Sequence, residues 1–163
     1  YGQSAFGLSQ KLNIKRGEAK AIIDAYYNEY SSIKEYMNTQ VEFARANGYT
    51  ETLFGRKRYL SDINSANAIV RAFAERNAVN SPIQGTAADI IKIAMNNIHQ
   101  KLTDGNYKST MILQVHDELL FDVHHTEEKE MKELIIHEMQ NAVNIGVPLD
   151  VEASIAENWL DAH

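Results

Sequence analysis

Three ionisable residues separate two apolar runs in the second half of the chain. His116, Asp117 and Glu118 stand between residues 111–115 and residues 119–123. Apolar runs of this length are typical of strands, and the short polar break predicts a hairpin turn. Two-residue turns favour Asn-Gly or Asp-Gly because these residues tolerate a positive φ. A turn that carries ionisable residues instead indicates a candidate functional site, and an ordinary solvated, charged turn is the alternative.

The two adjacent carboxylates could bind a metal ion. Asp and Glu provide hard oxygen ligands, and Mg²⁺ prefers one or two carboxylates together with water and substrate phosphates. Neighbouring residues of a strand point to opposite faces, so Asp117 and Glu118 are not expected to hold one ion equally. We therefore predict that Asp117 binds the metal and that Glu118 supports it. No second carboxylate stands at a matching position, so the sequence does not demonstrate a two-metal site.

A second group of polar residues recurs at intervals of four. Arg76, Asn80 and Gln84 would share one face of a continuous helix. Guanidinium and carboxamide groups suit phosphate oxygens and the acceptors on base edges. A solvated helix face is the alternative, and Pro82 puts the alignment of Gln84 in doubt.

Two further clusters have a chemistry of their own. Arg56, Lys57 and Arg58 precede an aromatic residue, which suits a nucleic-acid backbone, and a solvated hairpin tip is the alternative. His124-His125 resembles half of a zinc site. The chain has no Cys and no third ligand at a suitable spacing, so surface histidines are the preferred interpretation.

The first part of the chain has mainly helical periodicity. The spacing predicts a short helical turn over 8–12 and a long amphipathic helix over 19–44, which ends at Asn47-Gly48 and bends near Ser31-Ser32. Residues 49–60 predict a small hairpin with Gly55 at or near its turn.

The second half of the chain alternates between helices and strands. A helix is predicted over 66–80, then a break or kink at Pro82, then a second helix over about 86–102. After the central hairpin, Thr126 is predicted to cap a helix whose apolar stripe runs to residue 143. Residues 149–155 alternate between apolar and polar, which predicts a half-buried strand. The sequence thus predicts an α+β fold, with a small antiparallel sheet backed by long helices.

Composition limits the class of protein. The 163 residues, 44% of them apolar and 23% charged, suit one globular domain, and no run is long enough to cross a membrane. The absence of Cys fits a reducing cytoplasm. A net charge of −6 argues mildly against nucleic acid as a partner, although the acidic residues gather in 117–138 and 150–161 while basic residues lie together in the middle.

Five segments, taken in order, resemble the family A DNA polymerases of the bacterial polymerase I type. The segment from Gln114 to Glu118 resembles the family's motif C hairpin, and Tyr1-Gly2 resembles the end of its fingers-helix motif. The other three similar segments are the Thr-Leu-Phe-Gly-Arg-Lys-Arg-Tyr block at 52–59, the palm-helix block at 74–89 and the Glu-Asn-Trp triplet at 157–159. Leu60-Ser61 departs from the usual Val-Pro.

The resemblance implies template-directed DNA synthesis. A primer 3′-hydroxyl would attack the α-phosphate of a dNTP, with two Mg²⁺ in the complete enzyme. Asp117 would be one of two metal-bearing aspartates, with Glu118 assisting nearby. The resemblance places the remaining site residues against DNA: Gln114 and His116 beside the primer end, Arg76, Asn80 and Gln84 along the minor groove, Arg56 and Arg58 as further DNA contacts, and Tyr1 with Gly2 at the template side of the insertion site.

The resemblance also implies that the chain is part of a larger protein. Residues 1–48 would belong to the fingers and 49–163 to the palm. The expected partners are primer-template DNA, dNTP and the remainder of the polymerase chain, with no membrane. The expected location is the cytoplasm of a bacterium, in association with the nucleoid. The second metal-bearing Asp would lie upstream, so the isolated chain is expected to be inactive. Two alternatives are an HD-type metal phosphohydrolase, disfavoured because His116-Asp117 sits on a hairpin, and a non-catalytic DNA-binding module with a polymerase-like fold.

Overall fold

Six helices and four strands make up the part of the chain that the structure, a computed structural model, describes, residues 4–162. In chain order they are α1 Ala5–Leu12, α2 Arg16–Glu29, α3 Ser31–Asn47, β1 Tyr49–Glu51, β2 Lys57–Tyr59, α4 Ala68–Asp104, β3 Thr110–Val115, β4 Glu118–Asp122, α5 Glu128–Gln140 and α6 Trp159–Ala162. Contacts divide the chain into two compact units, Tyr1–Thr86 and Ala87–His163. No helix in the described range is long and apolar enough to cross a membrane.

The long helix predicted over 19–44 is two helices. Tyr30, with φ −108° and ψ 60°, separates α2 from α3, so the predicted bend near Ser31-Ser32 is a complete interruption. The predicted end at Asn47-Gly48 is confirmed, because Gly48 adopts φ +78° and its N–H donates to the carbonyl oxygen of Ala44 at 2.8 Å. A left-handed residue after the last turn is the usual way in which a helix ends.

The predicted small hairpin over 49–60 is present. Strands β1 and β2 pair antiparallel, with Tyr49 opposite Tyr59 and Glu51 opposite Lys57. Gly55 lies in the connecting turn at φ +80°, a value that glycine adopts without steric strain.

Helix α4 corrects the prediction of a break at Pro82. It runs unbroken from Ala68 to Asp104 with the proline inside it. A proline has no N–H, so the carbonyl of Ala78, four residues earlier, lacks its helical donor. The hydroxyl of Thr50, a residue with no exposed surface, lies 3.3 Å from that carbonyl oxygen and can donate to it. The hairpin thus compensates for the bond that the proline removes.

Each unit has its own apolar core. In the first, side chains from α3, the segment after β2, and α4 form a buried cluster of Ala44, Leu60, Ile63, Ala74 and Ala78, with Val41 packed against it. In the second, Ile98 and Leu102 of α4 pack with Met131 of α5. The half-buried residues around them come from the hairpin, the segments that flank it and α5: Tyr107, Leu119, Phe121, Val123, Leu134, Ile135 and Met139.

The central hairpin has the predicted strands. Strands β3 and β4 pair antiparallel from Thr110 opposite Asp122 to Val115 opposite Glu118, with an irregularity in register between Met111 and Leu113. Among the described residues, β3 and β4 form a two-stranded sheet with no third strand. On β3, Ile112 and Leu113 are exposed by 60% and 47%.

Two predictions for the end of the chain are wrong. Thr126 does not cap α5, since Glu127 holds the N-cap position; the Thr126 hydroxyl instead lies 2.9 Å from Nδ1 of His124. Residues 149–155 form no strand. A strand needs a neighbouring chain to satisfy its N–H and C=O groups, and none of the described strands pairs with this segment. The apolar alternation also fails at its end, where Ile155 is 51% exposed.

Candidate polymerase site

The tip of the central hairpin is a two-residue turn built from His116 and Asp117. Val115 and Glu118 are the last paired residues on either side. His116 adopts φ +55°, the left-handed conformation that such turns demand and that a residue with a Cβ adopts at a cost of about 1–2 kcal/mol. The side-chain amide of Gln114 donates to the carbonyl oxygen of His116 at 2.9 Å and braces the turn. Backbone strain of this kind often marks functional sites.

The carboxylates of the hairpin tip differ in their surroundings. Asp117 is exposed at the turn, whereas Glu118 is half-buried at the start of β4 and is engaged in an interaction of its own. The roles of Asp117 as metal ligand and of Glu118 as supporting residue stay predictions. The part of the chain that the structure describes contains no cluster of three or more His, Asp or Glu residues able to hold a metal ion. A single exposed carboxylate such as that of Asp117 is chemically compatible with Mg²⁺, which can take its other ligands from water and phosphates.

The polar stripe of α4 lies in the first unit. Because the helix is continuous through Pro82, the interval of four is preserved and Arg76, Asn80 and Gln84 share one side of it. Arg76 and Gln84 are exposed, and Asn80 is half-buried. The guanidinium of Arg76 lies 5.7 Å from the ring centre of the exposed Phe73, which restricts the arginine without burying it.

A cavity of about 280 Å³ borders this stripe. Its lining residues come from α3 and α4: Met37, Asn38, Val41, Ala72, Glu75, Arg76, Val79 and Asn80. The side-chain oxygen of Asn80 is buried without a hydrogen-bond partner. Buried polar atoms of this kind are rare and often mark a site that is completed by a ligand or water. The adjacent Glu75 accepts from Arg45 at 2.6 Å and lies 3.8 Å from Arg71.

The basic hairpin β1–β2 is fastened to α4 by its arginines. Arg56 donates to the carbonyl oxygen of Gly85 at 2.9 Å, and Arg58 donates to the hydroxyl of Ser81 at 3.0 Å. A guanidinium has five N–H donors, so one hydrogen bond to α4 does not exhaust those of the exposed Arg58. This anchoring role has no local sequence signal and was not predicted, since the two partners lie 29 and 23 residues away along the chain.

Lys57 keeps its positive charge at neutral pH. Its ammonium group lies 4.2 Å from the ring centre of Tyr49, and the hydrogen bond to Tyr49 raises the pKa of Lys57 above its ordinary value. Tyr59 is 76% exposed beside it. A cationic hairpin with an accessible aromatic ring suits a nucleic-acid backbone.

The predicted site residues fall into two described groups. The stripe and the basic hairpin lie in the first unit and the hairpin tip in the second. Tyr1 and Gly2, predicted for the insertion site, lie outside the described residues. His124 and His125 stack with ring centres 4.4 Å apart. Nδ1 of His124 forms a hydrogen bond with the Thr126 hydroxyl.

Comparison with known proteins defines the class to which these sites belong. The family model for DNA polymerase family A matches residues 1–161. The chain therefore belongs to DNA polymerase family A, as its five motifs predicted.

Individual relatives are similar over nearly the whole chain. DNA polymerase I of Caldicellulosiruptor bescii is 50% identical over 161 residues, 99% of this chain and 19% of that protein. DNA polymerase I of Streptococcus pneumoniae is 50% identical over 162 residues, 99% of this chain and 18% of that protein. The chain thus spans about a fifth of the length of these relatives.

A solved structure confirms the α+β fold. The POL domain of Pol1 from M. smegmatis, in complex with DNA primer-template and dNTP, matches with a TM-score of 0.95 and 45% identity, covering 99% of this chain and 29% of that one.

Proposed function

We propose that this chain is the palm and part of the fingers of a bacterial DNA polymerase that extends a primer by template-directed nucleotidyl transfer in replication and repair. One observation carries the proposal: 99% of the chain matches, at 45% identity, a polymerase domain in complex with DNA primer-template and dNTP. Residues 1–48 are assigned to the fingers and 49–163 to the palm. The partners are primer-template DNA, dNTP and the remainder of the polymerase chain, in the cytoplasm at the nucleoid.

In this proposal the hairpin tip holds the reacting groups. Asp117 contributes one carboxylate toward Mg²⁺, and Glu118 assists from the adjacent strand position. Two Mg²⁺ ions, when bound, stabilise the attacking and leaving oxygens of the displacement. Gln114 and His116 lie beside the primer end, and the strained turn presents the Asp117 carboxylate outward from a rigid two-strand support.

The stripe and the basic hairpin bind DNA. Arg76, Asn80 and Gln84 contact the minor groove, where all base pairs present acceptors at similar positions, so pairing is checked without reading sequence. Arg58 contacts phosphates with donors that it does not use on α4, and Arg56 is assigned as a further DNA contact of the same basic hairpin. The side-chain N–H groups of Asn80 are the donors that suit the minor-groove acceptors, whereas its buried, unpartnered oxygen can accept only from a donor such as water. Tyr1 and Gly2 are assigned to the template side of the insertion site.

Replacement of Asp117 tests the catalytic assignment. In the full-length polymerase, Asp117→Ala should abolish primer extension while primer-template affinity stays close to the wild-type value, because a ligand of a metal that acts in the transition state contributes to kcat more than to binding. Asp122→Ala is the matched control, since Asp122 is exposed at the other end of the same hairpin.

Extension by the Asp117→Ala variant within about tenfold of wild type would contradict the role of Asp117. A wild-type polymerase that binds primer-template DNA but extends no primer would favour the non-catalytic DNA-binding alternative.

A further inference from the structure

A single carboxylate fastens the open end of the central hairpin. Glu127, at the N-cap of α5, accepts hydrogen bonds from the backbone N–H of Lys108 at 3.0 Å and of Ser109 at 2.9 Å, and from the Ser109 hydroxyl at 2.6 Å. The Ser109 hydroxyl oxygen also accepts from the backbone N–H of His124 at 3.0 Å. Ser109 precedes β3 and His124 follows β4, so this set, the hairpin anchor, joins both strand ends to the start of α5.

The hairpin anchor is well built for holding geometry. Ser109 is 2% exposed, so its hydroxyl bonds are shielded from competing water. Hydrogen bonds to an ionised carboxylate are shorter and stronger than those between neutral groups. A second link lies beside it, where the Tyr107 hydroxyl donates to Glu130 in the first turn of α5. At the same end of the hairpin, Phe121 and Val123 pack against the buried cluster of Ile98, Leu102 and Met131.

The anchor lies at the opposite end of the hairpin from the site. Strand β3 rises by about 3.3–3.4 Å per residue, so five steps from Thr110 to Val115 place the tip about 17 Å from the anchor. A tilt of about 5° at the anchor would displace the tip by about 1.5 Å over this length. A misplacement of about 1 Å is enough to slow a reaction by about a hundredfold.

We infer that Glu127 and Ser109 are positioning residues for polymerisation, which set the direction of the hairpin and thereby the place of the Asp117 carboxylate. The inference rests on the proposed function. Neither residue lies near the reacting atoms along the hairpin, and neither is expected to touch DNA or nucleotide. Their action is on the alignment of the tip with α5 in the second unit.

Two variants of the full-length polymerase test the inference. Glu127→Gln replaces one acceptor oxygen by an amide that cannot accept from an N–H, and Ser109→Ala removes the link between the carboxylate and His124. Each should lower kcat for single-nucleotide addition by on the order of tenfold to a hundredfold and raise the half-saturating Mg²⁺ concentration, with primer-template affinity unchanged. Glu128→Gln, the same charge change on the exposed neighbour, should leave all three quantities at their wild-type values.

A distance measurement tests the geometry without activity. Nitroxide labels at Leu113→Cys and Lys132→Cys, both exposed positions, report the distance between the outer half of the hairpin and α5. The distance distribution should broaden or shift in Glu127→Gln and stay narrow in Glu128→Gln. Measurements are made below the unfolding temperature of each variant, and Ser109→Ala takes the place of Glu127→Gln if the latter does not fold.

The possible results separate the inference from the proposed function. Unchanged kcat, Mg²⁺ dependence and label distance in the folded variants, whether or not their melting temperature falls, would overturn the positioning role. If Asp117→Ala retains extension, the assignment of the hairpin tip fails first. If Asp117→Ala is inactive and the anchor variants behave as wild type, the proposed function stands and the inference alone is wrong.

Discussion

The hydroxyl of Thr50 compensates for the proline inside α4, and its removal has a calculable effect. Thr50→Val keeps the volume of the side chain but leaves the Ala78 carbonyl without a donor. An unsatisfied buried acceptor costs about 1–3 kcal/mol. The observed separation of 3.3 Å is longer than the usual 2.7–2.8 Å for two oxygens, so we expect a value near the lower end, about 1 kcal/mol.

Hydrogen exchange measures this loss inside the intact polymerase. A change of about 1 kcal/mol corresponds to roughly fivefold faster exchange of the amides in 74–86, followed by mass spectrometry under conditions where exchange reports the opening equilibrium. Thr50→Ser, which retains the hydroxyl, should exchange at close to the wild-type rate.

Pro82→Ala provides the decisive comparison. It restores an N–H at position 82 that can donate to the Ala78 carbonyl, so Thr50→Val should have little effect in that background. The two substitutions should therefore show a coupling of about 1 kcal/mol. Gln40→Leu removes the second acceptor within reach of the Thr50 hydroxyl, at 3.4 Å, and should leave exchange unchanged. Equal effects of Thr50→Val with and without Pro82 would refute the compensation.

Three further predictions concern stability. Gly85→Ala should lower the melting temperature of the polymerase, because an added Cβ would lie 2.6 Å from Cγ2 of the buried Thr52; an unchanged melting temperature would show that the contact relaxes freely. His116→Val should be less stable than His116→Gly by at least about 1 kcal/mol in urea denaturation, since a β-branched residue is strained at φ +55°, and equal stabilities would contradict the strained turn. Hydrogen bonds from Ser109 and Lys108 lower the pKa of Glu127. Wild type should therefore be more stable than Glu127→Gln above the ordinary carboxyl pKa range, and this difference in unfolding free energy should shrink as the pH falls through the lowered pKa. A difference that does not change with pH in urea titrations would exclude the Glu127 carboxylate as its source.

Helix ends and turns could be predicted from the residues that form them. Glycine at positions 48 and 55 marks a helix end and a turn because a positive φ is needed at each, and the structure has both. A two-residue turn without Asn-Gly is unusual, and His116 accordingly adopts a strained, positive φ.

Features that depend on distant partners were not predictable from periodicity. Pro82 reads as a helix break until Thr50, 32 positions earlier, is known to contact the same carbonyl. Residues 149–155 have the pattern of a strand but no described strand beside them. No sequence signal shows that the carboxylate of Glu127 accepts hydrogen bonds from Lys108 and Ser109, which lie 19 and 18 residues earlier. The chemistry of carboxylates suggested a metal at Asp117, whereas the proposed minor-groove roles of Arg76 and Gln84 depend on the resemblance to the polymerase family.

The exposed edge of β3 has a practical consequence for recombinant work with these 163 residues alone. Among the described residues β3 pairs only with β4, so its outer row of N–H and C=O groups is open, and Ile112 and Leu113 are exposed beside it. An open edge with apolar side chains is a template for pairing with another copy of the same strand. Purified in isolation, the chain should self-associate with increasing concentration. A charged residue introduced at position 112 should prevent this association and keep the chain monomeric.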